Sequence, residues 1–236
     1  ALVCSIFIPI LFFFLGQKSP NIKKDLSKIK KEENVNSNLK LSISDKKVQV
    51  LLMFAGVFCC IAMSMPQVHI VPLCIDNGFG LAVGTEILSF MLFAAVTSRV
   101  LFGLLSDKIG PIQTLILGST LQAISLSMFL PFNSQISLYI VAICFGLSQG
   151  GIVPIYAVII SKFLPENEVA ERVGLLIFAT IIGMSLGGWL SGLIYDYTNS
   201  YQMAFLNGIF WNLVNLSIMV YLFLKYQQSI KRVVEI

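Results

Sequence analysis

The sequence predicts an all-α polytopic membrane protein, with six complete transmembrane helices and the end of a preceding one. Three observations predict it. Hydrophobic residues make up 56% of the chain and charged residues 12%, with a mean hydropathy of +0.85; soluble domains carry about 25% charged residues. Apolar stretches that reach or approach the ~20 residues a helix needs to cross a bilayer recur along the chain, separated by short polar breaks. Lys and Arg, finally, fall in alternate connections only, as topology demands of a chain that weaves through a membrane.

Residues 1–15 form an apolar run. Fifteen helical residues span only ~22 Å, short of the ~30 Å hydrocarbon core. The run lacks a basic flank and a small-residue cleavage site, so it reads as the tail of a transmembrane helix whose beginning is missing, not as a signal peptide. The chain is therefore expected to be a fragment. Residues 16–47 hold nine lysines among Asn and Ser, with almost no aromatic content. Such a composition cannot bury enough apolar area to offset its ordering entropy, which predicts a disordered linker.

Six apolar segments follow, at 48–75, 84–105, 112–130, 136–163, 169–195 and 201–225, making a bundle over 48–225 with a tail at 226–236. The breaks between them carry turn chemistry: Asp76-Asn77-Gly78, Ser106 to Pro111, Pro131 to Ser134, Pro165 to Glu168, and Asp196 to Ser200. The linker lysines, Lys108, Lys162, Arg172, Lys225, Lys231 and Arg232 all fall on one side, and the first, third and fifth breaks carry no Lys or Arg. This bias places the linker and C-terminus in the cytoplasm, in a multi-pass protein of the cell inner or plasma membrane.

The net charge of +4 belongs mainly to the linker. No folded basic surface with interleaved aromatics is visible, so a nucleic-acid partner is not expected; the lipid bilayer is. The five cysteines sit in or beside apolar segments without a CxxC spacing, and His69 is the single histidine, which leaves no metal-ligand pattern. No Walker-type or Gly-x-Ser-x-Gly motif occurs, so neither an enzyme nor a cofactor is expected.

Arg99 is the basic residue that fits none of the loops. A charge at membrane depth costs roughly 2.5 kcal/mol or more on insertion scales, and so faces a partner or a watery pathway. Its own span holds no acid nearby, since Glu86 lies more than three turns away. The guanidinium offers a planar fork that pairs bidentately with a carboxylate. A structural ion pair is the plainer alternative. His69 lies between Pro66 and Pro72, in a span that these prolines predict to be kinked or interrupted. It suits proton relay or a hydrogen bond to a carboxylate, or polar helix packing, and Gln67 beside it is a weaker candidate. In the fourth span Gly146, Gly150, Gly151 and Pro154 predict a bent, closely packed helix. There Gln149, Val153 and Tyr156 share a face at i, i+4 and i+7, able to bond either an organic acid or another helix. Gly183 and Gly187 in the fifth span read as small-residue packing, and Asn207, Trp211 and Asn215 in the last as interhelical hydrogen bonding.

The run from Arg99 through Gly103, Ser106, Asp107, Lys108, Ile109 and Gly110 resembles the G-x-x-x-D-R/K-x-G signature of the major facilitator superfamily. In that family the motif lies in a cytoplasmic loop between paired helices and acts as a conformational latch. The resemblance implies gating roles for Gly103, Asp107, Lys108 and Gly110. Gly103 would let helices approach and Gly110 would permit the turn, while Asp107 would accept from the start of the fifth span, with Arg172 nearby. A basic linker followed by six spans resembles the central loop and C-terminal half of a twelve-helix facilitator, whose N-terminal six-helix half would be the missing partner.

Ser98-Arg99 together with this motif is similar to the monocarboxylate transporter and oxalate–formate antiporter branch, in which the arginine of this helix binds the substrate carboxylate. That resemblance implies a secondary active transporter of small organic anions, monocarboxylates foremost, working by proton symport or anion exchange with alternating access. Arg99, His69, Gln149 and Tyr156 are the expected substrate-binding residues, and a proton or counter-anion the coupled partner. Two departures matter. Ala95 stands where related carriers have an aspartate one turn before the arginine, and residues 173–195 lack the lysine of oxalate carriers. One cation suits one carboxylate. A facilitator of another substrate, such as a drug or sugar, and a non-transporting receptor or scaffold remain as alternatives.

Overall fold

The computed structural model describes residues 44–131 and 134–234, with side chains described as far as Ser229. The expected helix end at 1–15 and the linker up to residue 43 lie outside the described residues. What is described is all helix: α1 (Asp45–Asp76), α2 (Gly80–Ile109), α3 (Pro111–Met128), α4 (Gln135–Gln149), α5 (Ile152–Phe163), a 3-10 turn (Glu166–Glu168), α6 (Val169–Thr198) and α7 (Tyr201–Val234). Two boundaries shift from expectation. Helix α1 begins at Asp45, so Lys46 and Lys47 extend the first span instead of ending the linker, with the Asp45 carboxylate favourably placed in the first turn. The same helix runs unbroken through Pro66 and Pro72 where an interruption was allowed for.

Five helical stretches are long and apolar enough to cross a membrane, against the six expected. The exception is α3. Its 18 residues rise ~27 Å, and its sequence spends Thr114, Ser119, Gln122 and Ser125 on buried positions. Two of them bond neighbouring helices: Gln122 accepts from the Cys59 thiol of α1 at 3.5 Å, and Ser119 accepts from Asn215 of α7 at 2.9 Å; Thr114 and Ser125 bond carbonyls one turn earlier. Helix α3 exposes Leu117, Leu121 and Ile124 on its outer face, and its lower apolarity follows from the polar groups it buries inside the bundle.

The apolar core has two tiers. One gathers Leu52, Phe102, Leu115, Ile155, Tyr156 and Met219. The other gathers Met65, Ile87, Met91, Phe129, Phe145 and Phe205, with Phe129 and Phe205 stacked at 4.8 Å. Between them lies the polar layer of Ser119, Gln122, Tyr156, Asn212 and Asn215, all fully buried. Tyr156 donates to Asn215 Oδ1 at 2.7 Å, and Asn212 donates to the Ser119 carbonyl at 3.0 Å. Cys59, Cys60 and Cys74 are buried thiols outside any disulfide, as expected of small core residues.

Two glycine-mediated crossings set the helix spacing. On α4, a Cβ at Gly146 or Gly150 would fall 2.2 Å from the Met91 carbonyl or 2.1 Å from that of Ala95 on α2. On α6, Gly183 and Gly187 meet the Val57 and Ile61 carbonyls of α1 at 2.5 and 2.4 Å in the same construction. Each pair is spaced i, i+4 on both helices, so backbones approach where larger side chains would hold them apart.

Candidate functional site

The fourth span is two helices, and the break explains the site. Ser98 of α2 inserts its hydroxyl between Leu147 and Gly151: Oγ donates to the Leu147 carbonyl at 2.6 Å and accepts from the Gly151 N–H at 3.2 Å. Those two groups would bond each other in a continuous helix. Pro154, lacking an N–H, leaves the Gly150 carbonyl without its own i+4 donor. A side chain inserted in the ladder together with a proline is a sufficient cause for the break.

Next to Ser98, Arg99 opens onto a pocket of about 180 Å³. Helix α1 contributes Met63 and Gln67, α2 contributes Leu92, Ala95, Val96 and Arg99, and the broken span contributes Gln149, Gly150 and Val153. Arg99 is exposed there, and among the described residues the ion pairs do not include it. Gln67 donates from Nε2 to Gln149 Oε1 at 3.1 Å across the pocket. Gln149 is 1% exposed, and its own Nε2 has no hydrogen-bond partner.

Of the four expected binding residues, the structure brings Arg99 and Gln149 together and leaves two elsewhere. His69 faces α6 and α7: its Nε2 lies 3.1 Å from the Gly188 carbonyl, and its ring sits 5.9 Å from that of Tyr201. Two residues along a helix turn a side chain by roughly 200°, so His69 points away from the wall that Gln67 forms. Tyr156 is buried in the polar layer. It does not line the pocket with Gln149, because its hydroxyl is committed to Asn215, whereas Val153 across the break still lines it. Ser98, which holds the break, was not among the expected residues, and Gln67, the weaker candidate, lines the pocket. A hydroxyl beside the Arg99 cation and a polar residue beside Pro66 were the available signals.

The gating residues also differ from expectation. Asp107 and Lys108 lie on the last helical turn of α2, not in a loop, because the whole connection to α3 is Gly110. Gly110 has φ +93°, a backbone conformation open to glycine, and Pro111 starts α3 at the position where its missing N–H costs nothing. That part of the reasoning holds. A Cβ at Gly103 would meet nothing within 4 Å, so this glycine mediates no helix approach among the described residues. Arg172 pairs with Glu168 one turn earlier, at 2.5 Å, and not with Asp107. A partner four residues earlier, at the N-cap of α6, holds the guanidinium.

A search of known families gives a match to the Major Facilitator Superfamily over residues 52–234. The chain belongs to that superfamily. With five apolar helices of membrane length, this facilitator chain is part of a multi-pass membrane protein. It is 28% identical to monocarboxylate transporter 13 of Rattus norvegicus over 143 residues, covering 60% of this chain and 33% of that protein. It is 29% identical to the MFS-type transporter opdF of Penicillium oxalicum over 157 residues, covering 63% of this chain and 37% of that protein. The uncharacterized MFS-type transporter YhjX of Escherichia coli is 25% identical over 92 residues, 38% of this chain and 23% of that protein. The facilitator chain thus spans about a third of the length of the relatives it matches.

Proposed function

We propose that this chain forms one half of a secondary active transporter of small organic anions, principally monocarboxylates, moved with a proton or by exchange. The observation that carries the reading is Arg99: a cation on an apolar helix, opening onto a small pocket without an acidic partner among the described residues. An arginine in apolar surroundings needs a counter-charge, and a carboxylate matches its fork. Ala95, one turn before it, lines the same pocket and contributes no competing acid. The similarity to a protein named monocarboxylate transporter 13 supports the same class.

In this mechanism Arg99 holds the carboxylate near the midplane, and the two halves of the full protein rock around it to give alternating access. Ser98 fixes the α4–α5 break that shapes the pocket wall. Asp107, Lys108 and Gly110 lie at the α2–α3 hinge, on the side that the Lys and Arg bias makes cytoplasmic, and serve as the latch there.

The test is uptake by the full-length protein in proteoliposomes. The panel is radiolabelled formate, lactate, pyruvate and oxalate, a neutral sugar and a cationic drug, each with and without an imposed pH gradient or internal counter-acid. Uptake of monocarboxylates over oxalate, and loss of that uptake in Arg99→Lys, is the expected result. Sugar or drug flux unchanged in Arg99→Lys, or ligand binding without flux, contradicts it.

A further inference from the structure

We infer that Gln67 and Gln149 act as a second recognition point, selecting acids that carry an acceptor oxygen beside the carboxyl group. This rests on the reading of Arg99 as the carboxylate site. Three observations support it. Gln149 lines the Arg99 pocket while being 1% exposed. Its Oε1 is occupied by Gln67 Nε2 at 3.1 Å, and its Nε2 lacks a partner among the described residues. A buried donor left unmade costs roughly 1–3 kcal/mol, so a ligand that satisfies it is favoured over one that does not.

The division of labour follows from the two amides. Gln149 is the residue that would touch substrate, because its free N–H₂ can only donate. Gln67 is the positioning residue: by occupying the Gln149 oxygen it fixes which end of that amide is left for the pocket. Arg99 takes the carboxylate and Gln149 takes a neighbouring oxo or hydroxyl oxygen. An alkyl acid of the same length satisfies the first and leaves the second unmade. A site built to hydrogen-bond a substrate oxygen discriminates against the analogue without it far more strongly than an apolar pocket does.

The experiment compares pyruvate and propionate uptake by the full-length protein in proteoliposomes, as kcat/KM. The parent is expected to prefer pyruvate by roughly 10-fold or more. In Gln149→Met, which keeps the volume and removes the donor, the ratio falls to near one; thermal unfolding in detergent near the parental Tm shows that the variant folds. In Gln67→Met the ratio falls part-way, since the Gln149 amide is intact but no longer oriented. Two results overturn the inference and leave the Arg99 reading in place: a parent that moves both acids equally, or an unchanged ratio in Gln149→Met. A parent that moves neither acid overturns both.

Discussion

Gly150 is where packing and the site depend on the same atoms, and Gly150→Ala probes both. The added methyl would sit 2.1 Å from the Ala95 carbonyl oxygen and 2.6 Å from both Ala95 C and Cα. All three are backbone atoms, so no rotamer change relieves the contact. The oxygen is about 0.9 Å inside the 3.0 Å limit below which real Cβ contacts are essentially absent. Helices α2 and α4 must separate by a comparable distance, and overpacking of this kind costs about 1–3 kcal/mol or more. Alanine's better helix propensity, worth roughly 1 kcal/mol over glycine, offsets only part of that. Arg99 lies one turn beyond Ala95, and Ser98 holds the break beside it, so the same separation carries the guanidinium away from Gln149. Thermal unfolding of the full-length protein in detergent, paired with anion uptake, reads both effects: a lower Tm and a steep fall in uptake. Gly174→Ala, where a Cβ meets nothing within 4 Å, is the control and should leave both near the parent. Parental Tm and uptake in Gly150→Ala would show that the α2–α4 crossing is not the tight, Arg99-positioning contact described here.

Other perturbations have equally definite outcomes. Tyr156→Phe removes the donor to Asn215 Oδ1 and should lower stability by roughly 1–2 kcal/mol, while KM for the transported acid stays unchanged because Tyr156 is not in the pocket; a raised KM in uptake kinetics would return it to the site. Gly110→Ala forces a side chain into φ +93° at a cost of about 1 kcal/mol or more, measured as a lower Tm. Ala95→Asp sets an acid one turn from Arg99 in the same pocket; it should compete with the substrate carboxylate and raise KM, with the rise easing at low pH as the new acid is protonated. Glu168→Gln breaks the pair with Arg172, but that carboxylate is 45% exposed, so stability should change by no more than about 1 kcal/mol.

The sequence made the helices legible because a membrane requires long, continuous apolarity, and the Lys and Arg bias then ordered the connections. It was misleading where the bundle interior, not lipid, is the solvent. Helix α3 is less apolar than the other five because Ser119 and Gln122 bind neighbouring helices. The face linking Gln149 to Tyr156 was read from a 3.6-residue period; it holds as far as Val153, while Tyr156 bonds Asn215, fifty-nine residues away in sequence. Arg172 was read as lying near Asp107, and it pairs with Glu168, four residues earlier. Arg99 and Gln149, which line one pocket, were recognisable as candidates from chemistry alone, since a cation and an amide at membrane depth each need a partner. Gln67 gained its importance only from geometry, through one hydrogen bond across the pocket.

The central claim is that Arg99 pairs with the carboxylate of the transported acid. Equilibrium binding of a radiolabelled monocarboxylate to the purified full-length protein tests it most directly, comparing the parent with Arg99→Lys and Arg99→Gln. A charge-assisted hydrogen bond contributes about 1.5–3 kcal/mol, which is roughly 10- to 150-fold in affinity. The prediction is a loss of that size in Arg99→Lys, which keeps the charge but not the fork, and binding below detection in Arg99→Gln. Parental affinity in Arg99→Gln would contradict the account.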